Sequence, residues 1–167
     1  MIYIGIDNGA TGTIGILKGK EVLFFLETPV VKMQDYTKKK KAISRLAVNE
    51  FKLIIEQAKE YAQGDSILAV LERPLVNPQL FNATIVAVRV LEAQLGVLES
   101  LDIPYTFIDS KEWQRVLLPQ GTKGSSELKK ASEDIGCRLF PQYKDLILKH
   151  KDADGLLIAE YARRQIL

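Results

Sequence analysis

One cysteine, one histidine and one tryptophan occur in 167 residues. A single cysteine, Cys137, excludes an internal disulfide and fits a reducing, cytoplasmic compartment. It lies in a helical pattern with no catalytic partner near it in sequence, so it reads as a core residue rather than a nucleophile. Long hydrophobic runs are also missing: uncharged stretches such as Ala83–Val88 are far too short to span a bilayer. No basic segment precedes the first apolar run, which Asp7 interrupts, so no secretory signal is expected. Net charge is only +2, so composition alone does not announce a nucleic-acid binder. Internal repeats and low-complexity tracts are absent. What remains is ordinary for a globular protein, 47% hydrophobic and 26% charged. Such a chain predicts one domain over 1–167, with a core that needs no disulfide or metal staple.

The charge is unevenly spread. Lys38–Lys41 form a basic run, and a second basic zone holds Lys123, Lys129, Lys130, Lys144, Lys149 and Lys151. Short strands are expected at Ile2–Asp7, Thr11–Lys18 and Val22–Glu27, separated by turns at Gly9 and Gly19, which suggests an antiparallel meander. Pro29–Lys41 reads as a polar, mobile loop, followed by a helix from Ala42 to Ala62 that Gly64 stops. The run SILAVLE, Ser66–Glu72, has the length and continuous apolarity of a strand covered on both faces. A helix is expected over Phe81–Leu101, with an apolar stripe broad enough to serve the core and a partner subunit. Pro104–Ile108 is another strand. Helices then follow at Ser110–Leu117, Ser125–Leu139 and Asp152–Ile166. The pattern predicts an α/β fold with a mixed central sheet and helices on both faces.

Two strands end on carboxylates, Asp7 and Glu72. A right-handed crossover would set these strands side by side with both tips at one edge, where open α/β sheets bind ligands. Asp7 alone is ambiguous, since it could equally cap a turn with Asn8 and Gly9 or hold a cation or phosphate. Asp154 tips the balance: helical spacing puts it on one face with Ile158, Tyr161 and Ala162, toward the sheet. Asp152 is explained by capping at a helix N-terminus. Three converging carboxylates raise each other's pKa unless a cation is present, and oxygen ligands suit Mg²⁺ or Mn²⁺. Two such ions about 4 Å apart activate a water and stabilise the leaving oxygen in phosphodiester hydrolysis. The expectation is a metal-dependent nuclease on a ribonuclease H-like fold.

The residues also carry a resemblance. GIDNGATGTIGIL at the start, LERP at Leu71–Pro74, IPYTFIDSKEWQ at Ile103–Gln114, RLFP at Arg138–Pro141 and DADGLLIAEYARR at Asp152–Arg164 together resemble the RuvC family of Holliday-junction resolvases, above all its phage-type branch. The first motif is shared with sugar kinases and actin-like ATPases, whereas the ordered set is specific. The resemblance implies a structure-selective endonuclease, phage- or prophage-encoded, that uses Mg²⁺ or Mn²⁺ to cut four-way junctions or other branched DNA by paired nicks. It implies a homodimer with the Phe81–Leu101 helix at its interface.

Carried over by position, Asp7, Glu72 and Asp154 are metal ligands. The family's fourth ligand lies three or four residues before the last Asp, where this chain has Lys151 and His150. His150 is therefore expected as ligand or general base, with Asp152 as its substitute. Lys111, Arg115, Lys123 and Lys129 fall where the family binds phosphate. Leu75, Leu80 and Phe81, in the loop Arg73–Phe81, are candidates for an apolar wedge at the junction centre or for core residues beneath the loop. Trp113 reads as core. Two other readings compete: an actin-like or sugar-kinase-type ATP phosphotransferase, and a non-catalytic junction-binding module on the same fold.

Overall fold

The structure, a computed structural model, describes residues 1–35, 38 and 40–165. Alternation organises its first strand, β1 (Ile2–Ile6). Ile2, Ile4 and Ile6 serve one hydrophobic cluster while Tyr3 serves another on the opposite face. β2 (Thr13–Lys18) and β3 (Glu21–Glu27) complete the expected antiparallel meander. Next come β4 (Val30–Gln34), β5 (Ala42–Leu46) and helix α1 (Val48–Ala62). β6 (Ile67–Glu72) then pairs parallel with β1 in a register that sets Ile6 beside Leu71. A 3-10 turn, Pro78–Leu80, leads into α2 (Phe81–Ser100), and β7 (Tyr105–Ile108) joins β6 in parallel. The remaining helices are α3 (Ser110–Leu117), α4 (Ser125–Leu139), α5 (Lys144–His150) and α6 (Asp154–Gln165). The main sheet has the order β3-β2-β1-β6-β7.

Helices cover both faces. Phe51 and Ile55 of α1 and Val90 and Leu98 of α2, all fully buried, pack with Ile4 and Leu71. On the other face, Trp113, Ile147 and the α6 residues Leu156–Ala159 meet Tyr3, Leu17 and Val70. α6 lies almost directly on the sheet. A Cβ placed on Gly5 would come within 2.2 Å of the Gly155 carbonyl oxygen and 2.3 Å of the Ala159 nitrogen. One on Gly155 would sit 2.5 Å from the Thr13 carbonyl oxygen. Glycine at both positions lets backbone meet backbone, and that contact brings the start of α6 to the ends of β1 and β2.

The strands and the boundaries of α3 and α4 match expectation closely, but three segments differ. Pro29–Lys41 is not a mobile loop throughout, because Val30–Gln34 forms a hairpin with Ala42–Leu46. The helix therefore begins at Val48, not Ala42; Ala47 N–H donates to the Pro29 carbonyl and closes the ribbon before the helix starts. Within the basic run, Lys39 lies outside the described residues, as does Ile166 at the expected end of the last helix. That helix starts at Asp154 rather than Asp152, and α5 precedes it. Lys151 takes a left-handed conformation (φ 54°) that ends α5, so His150 and Asp154 do not share a helix. Pro78–Ser100 is also long and apolar enough by composition to cross a membrane, which the short uncharged runs had not suggested. Arg89 and Glu92 near its middle would each be costly in a bilayer. Here Val90, Leu91, Val97 and Leu98 bury their side chains in the core.

Candidate active site

β1 and β6 run parallel, so their carboxyl ends share one edge of the sheet, and Asp7 and Glu72 stand there. Alternation sends both side chains toward the face that α6 covers. Asp152, just before α6, and Asp154, its first residue, add two more carboxylates. Oxygens of Asp7, Asp152 and Asp154 lie within 4.8 Å of one another. Glu72 stands beside this group, close enough for its charge to act on both Asp7 and Asp154.

Glu72, Asp152 and Asp154 are each fixed by a buried donor. Thr13 Oγ1 donates to Asp152 Oδ1 at 3.0 Å and accepts the Gly155 N–H, tying β2 to the start of α6. Ser132 of α4 donates to Asp154 Oδ1. Trp113 of α3 donates its indole N–H to Glu72 Oε2 at 2.7 Å. Asp152 Oδ1 also accepts the Asp154 N–H at 2.7 Å, so it caps the turn as expected and faces the other acids as well.

Burial and mutual repulsion dominate the electrostatics. Burial, then the charges of Asp154, Asp152 and Glu72, push Asp7 well above the usual carboxylate range. Asp154 is pushed up to about 7, first by burial and then by Asp152, against the opposing Ser132 hydrogen bond. Glu72 is raised by burial and held back by the Trp113 hydrogen bond, and Asp152 is raised by burial against several donors. Lys129 is the lysine that counters the charge of all three aspartates. Its charge does not outweigh burial and the mutual repulsion of the acids. An all-oxygen donor set that repels itself in a desolvated pocket fits a divalent cation such as Mg²⁺ or Mn²⁺.

A cleft of about 720 Å³ opens beside the acids. Glu72, Asp154, Arg73, Leu75, Lys111, Arg115 and Lys129 line it, so three of the four expected phosphate contacts lie at the site. Lys123 does not line the cleft; it precedes α4, with its backbone N–H on Glu127. Leu75, Leu80 and Phe81 are 78%, 55% and 64% exposed, so they do not close the core beneath the loop.

His150 is placed differently from expectation. Its Nδ1 meets Glu27 Oε1 at 2.7 Å and its ring packs edge-on against Phe25, while Asp152, read from the sequence mainly as a cap, joins the acidic group. The cause is the left-handed Lys151, which folds the chain back so that residue 152 turns inward. Sequence reasoning also missed Thr13 and Ser132, whose hydroxyls carry no positional signature. Trp113 is core as expected, with zero exposure. A buried indole N–H needs an acceptor, and Glu72 supplies it.

No family model matches this chain, and no curated protein matches it in sequence. Among solved structures, it is similar to Thermus thermophilus RuvC in complex with a Holliday junction substrate, with a TM-score of 0.63 at 15% identity. It is also similar to T. thermophilus RuvC, with a TM-score of 0.53 at 14% identity. Both similarities cover 99% of this chain and 96% of the other. The fold is RuvC-like, a ribonuclease H-like α/β sheet.

Proposed function

We propose that this protein is a divalent-metal-dependent endonuclease that resolves four-way DNA junctions and related branched DNA. The observation that carries the reading is the convergence of Asp7, Asp152 and Asp154 within 4.8 Å, with Glu72 adjoining, on a RuvC-like sheet edge beside a cleft lined by lysine and arginine.

Asp7, Glu72, Asp152 and Asp154 supply the oxygens that would hold the cations. Mg²⁺, or Mn²⁺ in its place, would neutralise charge at the scissile phosphate and ease ionisation of the attacking water. Thr13 and Ser132 hold Asp152 and Asp154 in their rotamers. Lys111, Arg115 and Lys129 attract the phosphate backbone and keep it in the cleft. His150 has Nδ1 engaged with Glu27 and stands outside the acidic group, so it serves as a general base behind the acids rather than joining them as a ligand. Hydrolysis adds the water oxygen to phosphorus and releases the 3′ oxygen with a proton, leaving a 5′ phosphate. The exposed Leu75, Leu80 and Phe81, on the segment that leaves Glu72, supply the apolar wedge at the junction centre. We further assign the protein to the phage-type branch, acting as a homodimer through α2, whose Val88 is exposed.

The test is incubation with a labelled four-way junction and a matched linear duplex, with and without Mg²⁺. Paired nicks in the junction alone, dependent on the ion, are expected. Tight junction binding without cleavage in either Mg²⁺ or Mn²⁺ would favour a non-catalytic module, and nucleotide hydrolysis without DNA cleavage would favour the phosphotransferase reading.

A further inference from the structure

The residues that hold the acids are as specific as the acids themselves. Thr13, Ser132 and Trp113 are each 1% exposed or less, and each gives a side-chain donor to a different carboxylate. Trp113 differs from the other two in chemistry. A hydroxyl can donate or accept and can rotate, whereas an indole N–H only donates, does not titrate and points where its ring points. The ring is locked in the cluster with Val70, Ile108, Leu117 and Leu156.

Helix α3, which carries Trp113, is fastened to the end of β6 on the other side of Glu72 as well. Arg73 donates to Asp109 at 2.9 Å and lies 3.8 Å from Glu112, while the Arg73 N–H reaches the Ile108 carbonyl at 2.9 Å. Asp109 and Glu112 form the capping box that starts α3. These contacts leave the Glu72 side chain little freedom: Oε2 is occupied by the Trp113 indole, and the residue lines the cleft.

We propose that Trp113 is a positioning residue for Glu72, holding Oε2 and so fixing the orientation of a carboxylate that would help hold the metal, and that its indole emission reports occupancy of the site. This rests on the nuclease reading. A Trp that served only to fill the core would need no charged acceptor, and its loss would lower stability without changing metal affinity.

The test uses the intact protein without DNA. Mn²⁺ binding, followed by loss of the free-ion EPR signal, should weaken about 10–100-fold in Trp113→Phe, the scale of losing an outer partner of a metal ligand. Junction affinity measured without metal should be unchanged. In cleavage assays at fixed Mn²⁺, kcat should fall while KM for the junction holds. Independently, the wild-type chain has one tryptophan, so its emission should change saturably with Mn²⁺ at the same midpoint as the EPR titration, and Asp7→Asn should abolish the change. The emission titration decides the matter if Trp113→Phe fails to fold. Equal Mn²⁺ affinity in wild type and Trp113→Phe, or EPR-detected binding with silent emission, would overturn the assignment of Trp113 while leaving a junction-cutting wild type intact. A wild type that neither binds Mn²⁺ nor cuts junctions would overturn both readings.

Discussion

Replacing Asp154 with Asn should stabilise the metal-free protein at alkaline pH, although it removes a residue of the proposed active site. Asp154 has its pKa pushed from the ordinary 3.8 to about 7, first by burial and then by Asp152. An acid that holds its proton more tightly when folded contributes stability below its unfolded value, and that contribution is lost as pH rises from about 4 through about 7. The gap corresponds to about 4 kcal/mol at most, and sharing of the repulsion with Asp7 and Asp152 makes roughly 2–4 kcal/mol the expected range. Asn keeps the shape and an oxygen to accept from Ser132, so little is lost in exchange. For a chain of this size, 1 kcal/mol shifts the melting temperature by about 2–4 °C, so Asp154→Asn should melt about 4–16 °C above wild type at pH 8 in EDTA. At pH 5, where the folded Asp154 keeps its proton but the unfolded one has largely lost it, the gap should shrink to roughly a third of its pH 8 value. Added Mg²⁺ should raise the wild-type melt at pH 8 and leave the variant almost unmoved. The assay is a set of thermal melts at the two pH values, with and without the ion. A variant that melts at or below wild type at pH 8 would refute the claim that these acids repel one another in a buried site.

Asp7→Asn should abolish junction cleavage yet keep or tighten junction binding in a gel shift, since it removes a ligand charge without touching the basic cleft. Asp152→Asn should slow cleavage about 100-fold or more, and His150→Ala should cost less, a ranking read from single-turnover rates; the reverse order would restore His150 as the fourth ligand. Phe81→Ala should leave the melting temperature within a degree or two, because the side chain is 64% exposed. It should impair cutting of four-way junctions more than of flaps or nicked duplex, which need no unstacking.

The strand-tip acids were legible because period-two alternation is a strong signal and an acid that ends an apolar strand stands out against it. Ile2–Ile6 and Ile67–Glu72 needed only a parallel pairing to bring Asp7 and Glu72 together. α3 and α4 were legible from their amphipathic patterns and polar starts. The β4–β5 ribbon was not, because all of β4 and much of β5 are exposed and no buried face imposes an alternation. The nearness of Asp152 to Asp7 and Asp154 was not legible because helical spacing was applied across Lys151, which takes a left-handed backbone conformation normally signalled by glycine or asparagine. The supporting donors Thr13 and Ser132 become visible only when three distant parts of the chain are folded together.

That distance has a consequence for the living cell. Asp7 leaves the ribosome more than 140 residues before Asp152 and Asp154. At about 5–20 residues per second, the interval is roughly 7–30 s. Throughout it, the nascent polypeptide carries the first acid and much of the basic surface but lacks the α6 backbone that must dock against Gly5. A polypeptide stalled or degraded before α6 would be unable to assemble the acidic cluster. The proposed nuclease activity is thereby withheld from the nascent chain until the fold closes.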